Sequence, residues 1–295
     1  MRETATSVCL LIINRIPQLP EIVIKSILAN FKGRLYIGYL DFADVKDLNS
    51  LSDQIVCVDL FEEAERLGIT SHVSGYRDYL EEDFFKLVQL KWSLFETLLR
   101  DDTNEFLIYS DVDVVWTKPA AQEITQGFVA NPSCHLFVQD VSRQVVTTDL
   151  CMGFVGIRNS EISQNIIHAS RIKHAEMLLS NLKTGDDAVI TEIFKESTYR
   201  DNISPLPQVS FPAGYLINYF CKRTIFVGVA AERPYIFHAN YVVGLHKKML
   251  LLYVFLNQFG LAKEYFSLFF RIRARLEQYL RKIKFNFQIA IKNLG

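Results

Sequence analysis

From Phe106 to Trp116 the chain reads Phe106-Leu107-Ile108-Tyr109-Ser110-Asp111-Val112-Asp113-Val114-Val115-Trp116, an apolar run whose second half presents two acids. Apolar and β-branched residues at this length predict a buried strand. Alternation along a strand sends Asp111 and Asp113 to the same face. Two carboxylates side by side repel, and at the mouth of a sheet the remedies are a shared proton, a basic partner or a divalent cation. A cation held there could neutralise a diphosphate and stabilise it as a leaving group. The plainer alternative is a strand end whose acids merely face water. On the metal reading Asp113→Ala is expected to abolish metal-dependent ligand binding without unfolding the protein, since truncating an exposed strand-end acid costs little stability.

The flanking sequence predicts an open α/β sheet. Val8 to Ile13 reads as a first strand, too short to cross a bilayer and without a small-residue cleavage site. The loop after it bears Asn14 and Arg15. A helix begins near Pro20, with Ile22, Val23, Ile27 and Leu28 on its apolar face, and stops at Gly33. Leu35–Leu40 and Ile55–Leu60 are the next two strands. Ligands of such sheets lie beyond the carboxyl ends of the strands, which places Asn14 and Arg15 among the candidate donor-binding residues.

A helix over 82–100 carries Phe84, Val88, Phe95 and Leu98 at helical spacing, and Lys91 falls on the same stripe. Such a lysine either snorkels out of the core or points at the acidic pair or a phosphate. His135–Val138 and Cys151–Arg158 read as further strands, the glycines of the second suggesting close approach by a ligand or a neighbouring chain. Thr184-Gly185-Asp186-Asp187 opens a helix over 188–195, where the two acids serve either as ordinary N-terminal caps or as catalytic groups. Ser204-Pro205-Leu206-Pro207 and Phe211-Pro212-Ala213-Gly214 read as irregular covering loop. Ile236 to Lys248 contains His238, then Gly244 and the lysine pair Lys247-Lys248, a set equipped to complete a metal and diphosphate site.

Beyond Leu250 the composition turns basic, with Lys263, Arg271, Arg273, Arg275, Arg281, Lys282, Lys284 and Lys292 against Glu264 and Glu277. Phe269, Ile272, Leu276, Tyr279, Leu280, Ile283 and Phe287 recur there at helical spacing. The segment either packs back on the domain or lies on an anionic membrane surface. The expected division is a catalytic domain over 1–249 and a basic amphipathic helical tail over 250–295.

Charge narrows the partners. A formal net charge of -1 over 295 residues excludes a generally basic, nucleic-acid-coating protein, and 49% hydrophobic with 22% charged residues is globular. Five dispersed cysteines without a C-x-x-C spacing suggest neither a disulfide framework nor a zinc knuckle. The chemistry is therefore expected in the cytoplasm, with the tail as a peripheral contact on the cytoplasmic face of a membrane.

The acidic strand, the glycine strand, the Gly-Asp-Asp turn and the His…Gly…Lys segment occur in an order that resembles retaining glycosyltransferases of the GT-A fold. The nearest likeness is the nucleotide-diphospho-sugar transferase family that includes plant rhamnogalacturonan xylosyltransferases, with glycogenin more distant. The resemblance spans roughly Val8 to Lys248. It implies a Rossmann-like mixed α/β sheet flanked by helices, and transfer of a hexosyl or pentosyl unit from a UDP-sugar to a glycan, glycolipid or protein hydroxyl with retention. It further implies that Asp113, Asp111 and His238 hold Mn²⁺ or Mg²⁺, Asp111 contacting ribose or metal, and that Lys247 binds the diphosphate after Gly244. Lys91 matches the family's basic residue on the helix before the acidic pair. Asp186 and Asp187 match an Asp-Gln-like pair that holds the transferred sugar, with Asp187 replacing the amide, and Cys151 stands where an asparagine is usual. Front-face attack and double displacement both fit these residues. Two other classes stay open: a haloacid-dehalogenase-type phosphatase, whose D-x-D-x-[TV] strand Asp111-Val112-Asp113-Val114-Val115 also fits, and a non-catalytic membrane-attached binding module.

Overall fold

The computed structural model describes residues 5–13, 18–69, 82–142, 148–214, 233–240 and 244–279. Asn14, Arg15 and the tail beyond 279 lie outside these residues. The opening strand β1 (Thr6–Ile12) is flanked by β2 (Leu35–Tyr39) and, on its other side, β4 (Phe106–Ser110), all parallel, with β3 (Ile55–Asp59) outside β2. Beyond β4 come β7 (Leu150–Arg158), β6 (Leu136–Asp140) and β8 (Ile203–Leu206), giving a seven-stranded mixed sheet in the order β3-β2-β1-β4-β7-β6-β8. β7 runs antiparallel to both neighbours.

Alternation along β1 decides what each face buries. Val8, Leu10 and Ile12 point into one hydrophobic core and Cys9 and Leu11 into another. The first core is closed by α1 (Leu19–Asn30) and α5 (Ala120–Ala130), and by a later helix, α8 (Leu245–Gln258). The second is closed by α3 (Phe61–Arg66), α4 (Glu82–Leu99), α6 (Glu161–Leu179) and α7 (Asp186–Lys195). A short helix, α2 (Phe42–Val45), follows β2. Helices on both faces of a largely parallel sheet make the three-layer α/β architecture expected of the GT-A type.

Two expectations are corrected. The run Phe106–Trp116 is not one strand: β4 stops at Ser110, Asp111-Val112-Asp113 makes a turn closed by the Val114 N–H on the Asp111 carbonyl (3.1 Å), and β5 (Val114–Trp116) leaves for a separate two-stranded sheet with β9 (Ile236–His238). The acids therefore sit between two sheets, and turn geometry brings them together. Residues 203–206 form a strand where a loop was read. Pro205 is tolerated because, among the described residues, β8 is an edge strand bonded only to β6.

The helix α8 runs through residue 249, where the catalytic domain was expected to end, and its Met249, Leu250, Leu252, Tyr253 and Leu256 belong to the first core. It is followed by α9 (Ala262–Tyr265) and by α10, helical over 268–279.

Candidate active site

The site is assembled where β4 ends. The Asp111 N–H donates to the carbonyl of Gly153 at 2.7 Å, continuing the β4/β7 ladder by one bond before the chain turns. In the β5/β9 ribbon Val114 lies opposite His238, and the Ala239 N–H donates to the Asp113 carbonyl at 2.9 Å. That register delivers the imidazole to the acids, with Nε2 3.1 Å from Asp113 Oδ1 and 3.9 Å from Asp111 Oδ2. Gly153 makes room for it, since a Cβ there would stand 2.1 Å from His238 Cε1 and 2.8 Å from Asp111 Oδ2. The glycine strand is thus approached by the site's own side chains.

Each carboxylate is shared between two partners. Asp111 Oδ1 accepts from the Tyr109 hydroxyl at 2.6 Å and lies 3.3 Å from Lys91 Nζ, while Asp113 Oδ2 accepts from Lys248 at 2.5 Å. Asp111 Oδ2 and Asp113 Oδ1 are left facing His238. Asp113 is 5% exposed. Burial alone would raise its pKa, but Lys248 and His238 hold the carboxyl well below the usual carboxylate range.

The tautomer of His238 follows from its other nitrogen. Gln139 donates its amide N–H groups to the carbonyls of Phe211 (3.0 Å) and Pro212 (3.2 Å), so its Oε1, 2.8 Å from His238 Nδ1, must accept. Nδ1 therefore carries a hydrogen and Nε2 turns to the acids, the outer-shell arrangement common behind metal-bound histidines. Among the described residues, Asp111, Asp113 and His238 form a cluster whose ligand atoms all lie within 4.8 Å of one another. Two carboxylate oxygens and an imidazole nitrogen make a donor set that fits a divalent cation such as Mn²⁺ or Mg²⁺.

Lys91 does not snorkel. It is 5% exposed, donates to Asp186 and to the Met152 carbonyl (3.2 Å), and lies 4.6 Å from the Tyr109 ring centre. Burial would depress its ammonium, yet Asp111, Asp186 and Tyr109 together raise it well above the ordinary lysine value. Lys91 thus links the acid pair of the turn to the acid pair that opens α7. Asp187 accepts from the Met152 N–H at 2.7 Å. Burial and the neighbouring Asp186 push its pKa up to about 7.

That shift has a consequence for stability. An acid whose folded pKa exceeds its unfolded value stabilises the fold fully below the unfolded pKa, near 3.8, and loses that contribution as pH rises through about 7. Asp187→Asn mimics the protonated form and keeps the acceptor. It is expected to match the parent near pH 4 and to melt progressively higher than the parent towards pH 8, in a thermal denaturation series; a constant difference would place Asp187 in a solvated cap.

Other residues fall into place around this centre. Gly244 has φ +98° at the start of α8, a backbone that only glycine adopts without strain. Lys247 is exposed on the first turn, and it is Lys248 that reaches Asp113. Helix phase carries that signal, because 248, 252 and 256 lie along one inward stripe. Cys151 is 2% exposed, and its Sγ lies 3.4 Å from the Gly153 N–H and 3.9 Å from His238 Nδ1. Burial, Asp187 and Asp111 push its pKa well up, so it is a neutral thiol. Phe211 stacks on Phe154 and on Tyr235, so the segment 211–214 is packed behind the site. Read from the sequence, Gln139 and Tyr109 have no role and Lys247 is favoured over Lys248 within the lysine pair; a lone amide inside the apolar run of β6 is the trace Gln139 leaves.

The comparisons agree with this geometry. No curated protein matches the chain by sequence. By structure the chain is similar to mouse xyloside xylosyltransferase 1 in its apo form, at 11% identity over 81% of this chain and 99% of that one, TM-score 0.50. It is likewise similar to the glycosyltransferase GlyE of Streptococcus pneumoniae (16% identity, 88% of this chain and 65% of that one, TM-score 0.52). A third is the galactosyltransferase LgtC in complex with donor and acceptor sugar analogues (11%, 79% and 86%, TM-score 0.55). At these identities the likeness is one of fold. The model of the nucleotide-diphospho-sugar transferase family matches residues 63–252, a span that contains Lys91, both acid pairs, His238 and Lys248. The acid pair follows the fourth strand, whereas haloacid-dehalogenase-type phosphatases usually carry theirs on the first, and the chain belongs to the nucleotide-diphospho-sugar transferase family.

Proposed function

We propose that this protein transfers a hexosyl or pentosyl unit from a UDP-sugar to the hydroxyl of a glycan, glycolipid or protein, with retention at the anomeric carbon. The observation that carries the reading is the division of the two carboxylates, each held by a lysine on one side and turned to His238 Nε2 on the other. A divalent cation, Mn²⁺ or Mg²⁺, held by Asp111, Asp113 and His238 would supply charge neutralisation for a departing diphosphate. Lys248 adds a second cation beside it. Lys91 keeps Asp111 and Asp186 in place and their repulsion offset, and Asp186 and Asp187 are assigned to holding the transferred sugar. The sugar–phosphate C–O bond breaks, the acceptor oxygen bonds to the same face of the anomeric carbon, and its proton passes to a diphosphate oxygen.

A donor screen tests this: purified protein, Mn²⁺ and a panel of nucleotide sugars, read by thermal shift and by hydrolysis. Stabilisation and turnover with a UDP-sugar are expected, with the product anomer matching the donor by NMR. An inverted anomer overturns retention, and turnover confined to another base overturns the donor assignment.

The reading includes a location on the cytoplasmic face of a membrane. One side of α10 is docked: Phe270, with Phe266 just ahead of the helix, contacts Tyr253, and Ala274 is buried. The opposite side is open, with Leu268, Phe269, Ile272, Leu276 and Tyr279 between 58% and 77% exposed. Among the described residues no helix is long and apolar enough to cross a membrane. The open stripe and the flanking Lys263, Arg271, Arg273 and Arg275 suit an anionic lipid surface, where each basic residue contributes ~1 kcal/mol. The substitutions Phe269→Asp, Ile272→Asp and Leu276→Asp spare the docked side. They are expected to abolish salt-sensitive cosedimentation with anionic vesicles without lowering the melting temperature; absence of binding by the parent protein rejects the membrane contact.

A further inference from the structure

Lys91 and Trp92 are neighbours on α4, and both reach the connection between α6 and α7. Lys91 takes Asp186. Trp92, fully buried, donates its indole N–H to Nδ1 of His174 at 2.9 Å. An indole N–H can only donate, so His174 Nδ1 is the bare nitrogen and Nε2 holds the hydrogen. Nε2 lies 3.1 Å from the carbonyl of Thr184 and donates to it. His174 is itself fully buried, and burial lowers its pKa, which keeps the ring neutral.

Thr184 stands two residues before Asp186. The connection ahead of it is exposed at Asn181, Leu182 and Lys183, and α7 begins at Gly185 without a side-chain cap. A flexible glycine in an uncapped helix start leaves the first turn of α7 poorly determined by local structure. The grip comes from β7, whose Met152 N–H donates to Asp187, and from α4, directly through Lys91 on Asp186 and indirectly through Trp92 and His174 on Thr184.

We propose that His174 is a positioning residue: as the neutral Nε2–H imidazole it holds the Thr184 carbonyl and thereby sets the orientation of Asp186 and Asp187. An apolar side chain would fill the same space but leave the Trp92 N–H and the Thr184 carbonyl unpaired in the core. A fully satisfied buried bridge both rigidifies and specifies one arrangement. The inference rests on the transfer reading above only in assigning those acids to the sugar.

His174→Asn retains an acceptor near Nδ1 and cannot reach Thr184, whereas His174→Gln restores a donor at the reach of Nε2. Both are compared with the parent in turnover, in UDP affinity with Mn²⁺ and in amide hydrogen exchange. The asparagine variant is expected to lose ~10–100-fold in kcat, the scale of a misplaced positioning group, at unchanged UDP affinity. Faster exchange is expected at 183–188 and nowhere else, and the glutamine variant should recover towards the parent in both readouts. ¹⁵N NMR of the parent, with the His174 signals identified by their loss in His174→Gln, is expected to report the Nε2–H tautomer. The Nδ1–H tautomer, unchanged exchange at 183–188, exchange raised equally throughout α4 and α6, or parallel loss of kcat and UDP affinity each overturns the proposal. Exchange and tautomer are read without a donor, so a parent protein that turns over no nucleotide sugar counts against the transfer reading alone.

Discussion

Asp113→Asn is expected to abolish Mn²⁺-dependent binding of UDP while the protein stays folded, because it removes one of two carboxylates around His238 Nε2. The alanine variant should in addition cost stability. As a strand-end acid facing water, Asp113 would have been replaceable at little cost; the structure places it 5% exposed between Lys248 and His238, so truncation strands two partners in a low-dielectric site. Removing one member of a buried pair costs several kcal/mol, and Lys248 retains some access to water, so ~3 kcal/mol is expected, at the lower end of that class. Isothermal calorimetry and urea melts of both variants separate the effects. Unchanged affinity for UDP and Mn²⁺ in a folded Asp113→Asn protein would remove the metal assignment.

Lys91→Met should be the most damaging change to the fold. Methionine matches the aliphatic stem but leaves Asp111 and Asp186 without the cation that offsets them, and the Tyr109 ring without the cation above it. The expected loss is ~3–5 kcal/mol, with turnover falling because both acid pairs lose a common anchor. The double variant Lys91→Met/Asp186→Asn should recover part of the stability, since the uncompensated charge is then removed. A single-variant loss below ~1 kcal/mol would mark the pair as equivalent to a surface ion pair. Full additivity in the cycle would show that Lys91 and Asp186 do not interact.

Much of the frame was legible residue by residue. The apolar runs at 8–13, 35–40 and 55–60 are strands, the last two within one residue of where periodicity puts them and the first starting two residues earlier at Thr6, and the helix predicted over 82–100 is α4. The acid pair, the Gly-Asp-Asp turn and His238 announced themselves as residue types that chemistry uses. These are short-range properties: a strand or helix is selected by neighbours two to four positions away, and a run of eleven residues states them fully.

What the tertiary structure alone decided depends on segments far apart in the chain. The break after Ser110 arises because Val114–Trp116 finds a better partner in Ile236–His238 than in the main sheet, and no local preference in an apolar run reveals that. The stripe on α4 allowed Lys91 to point out or in, and the choice was made by Asp186, 95 residues away. Of two adjacent lysines, Lys248 meets Asp113 across 135 residues because the buried face of α8 fixes its phase. His174 reads as one basic residue among several on α6 until Trp92 and Thr184 close around it. On α10 the stripe Phe269, Ile272, Leu276 and Tyr279 stays open while Phe270 and Ala274 dock, because Tyr253 selects one side of the helix. Propensity sets which elements form, whereas register, helix phase and the pairing of buried charges are settled by long-range contacts, whose energies exist only once the chain has closed upon itself.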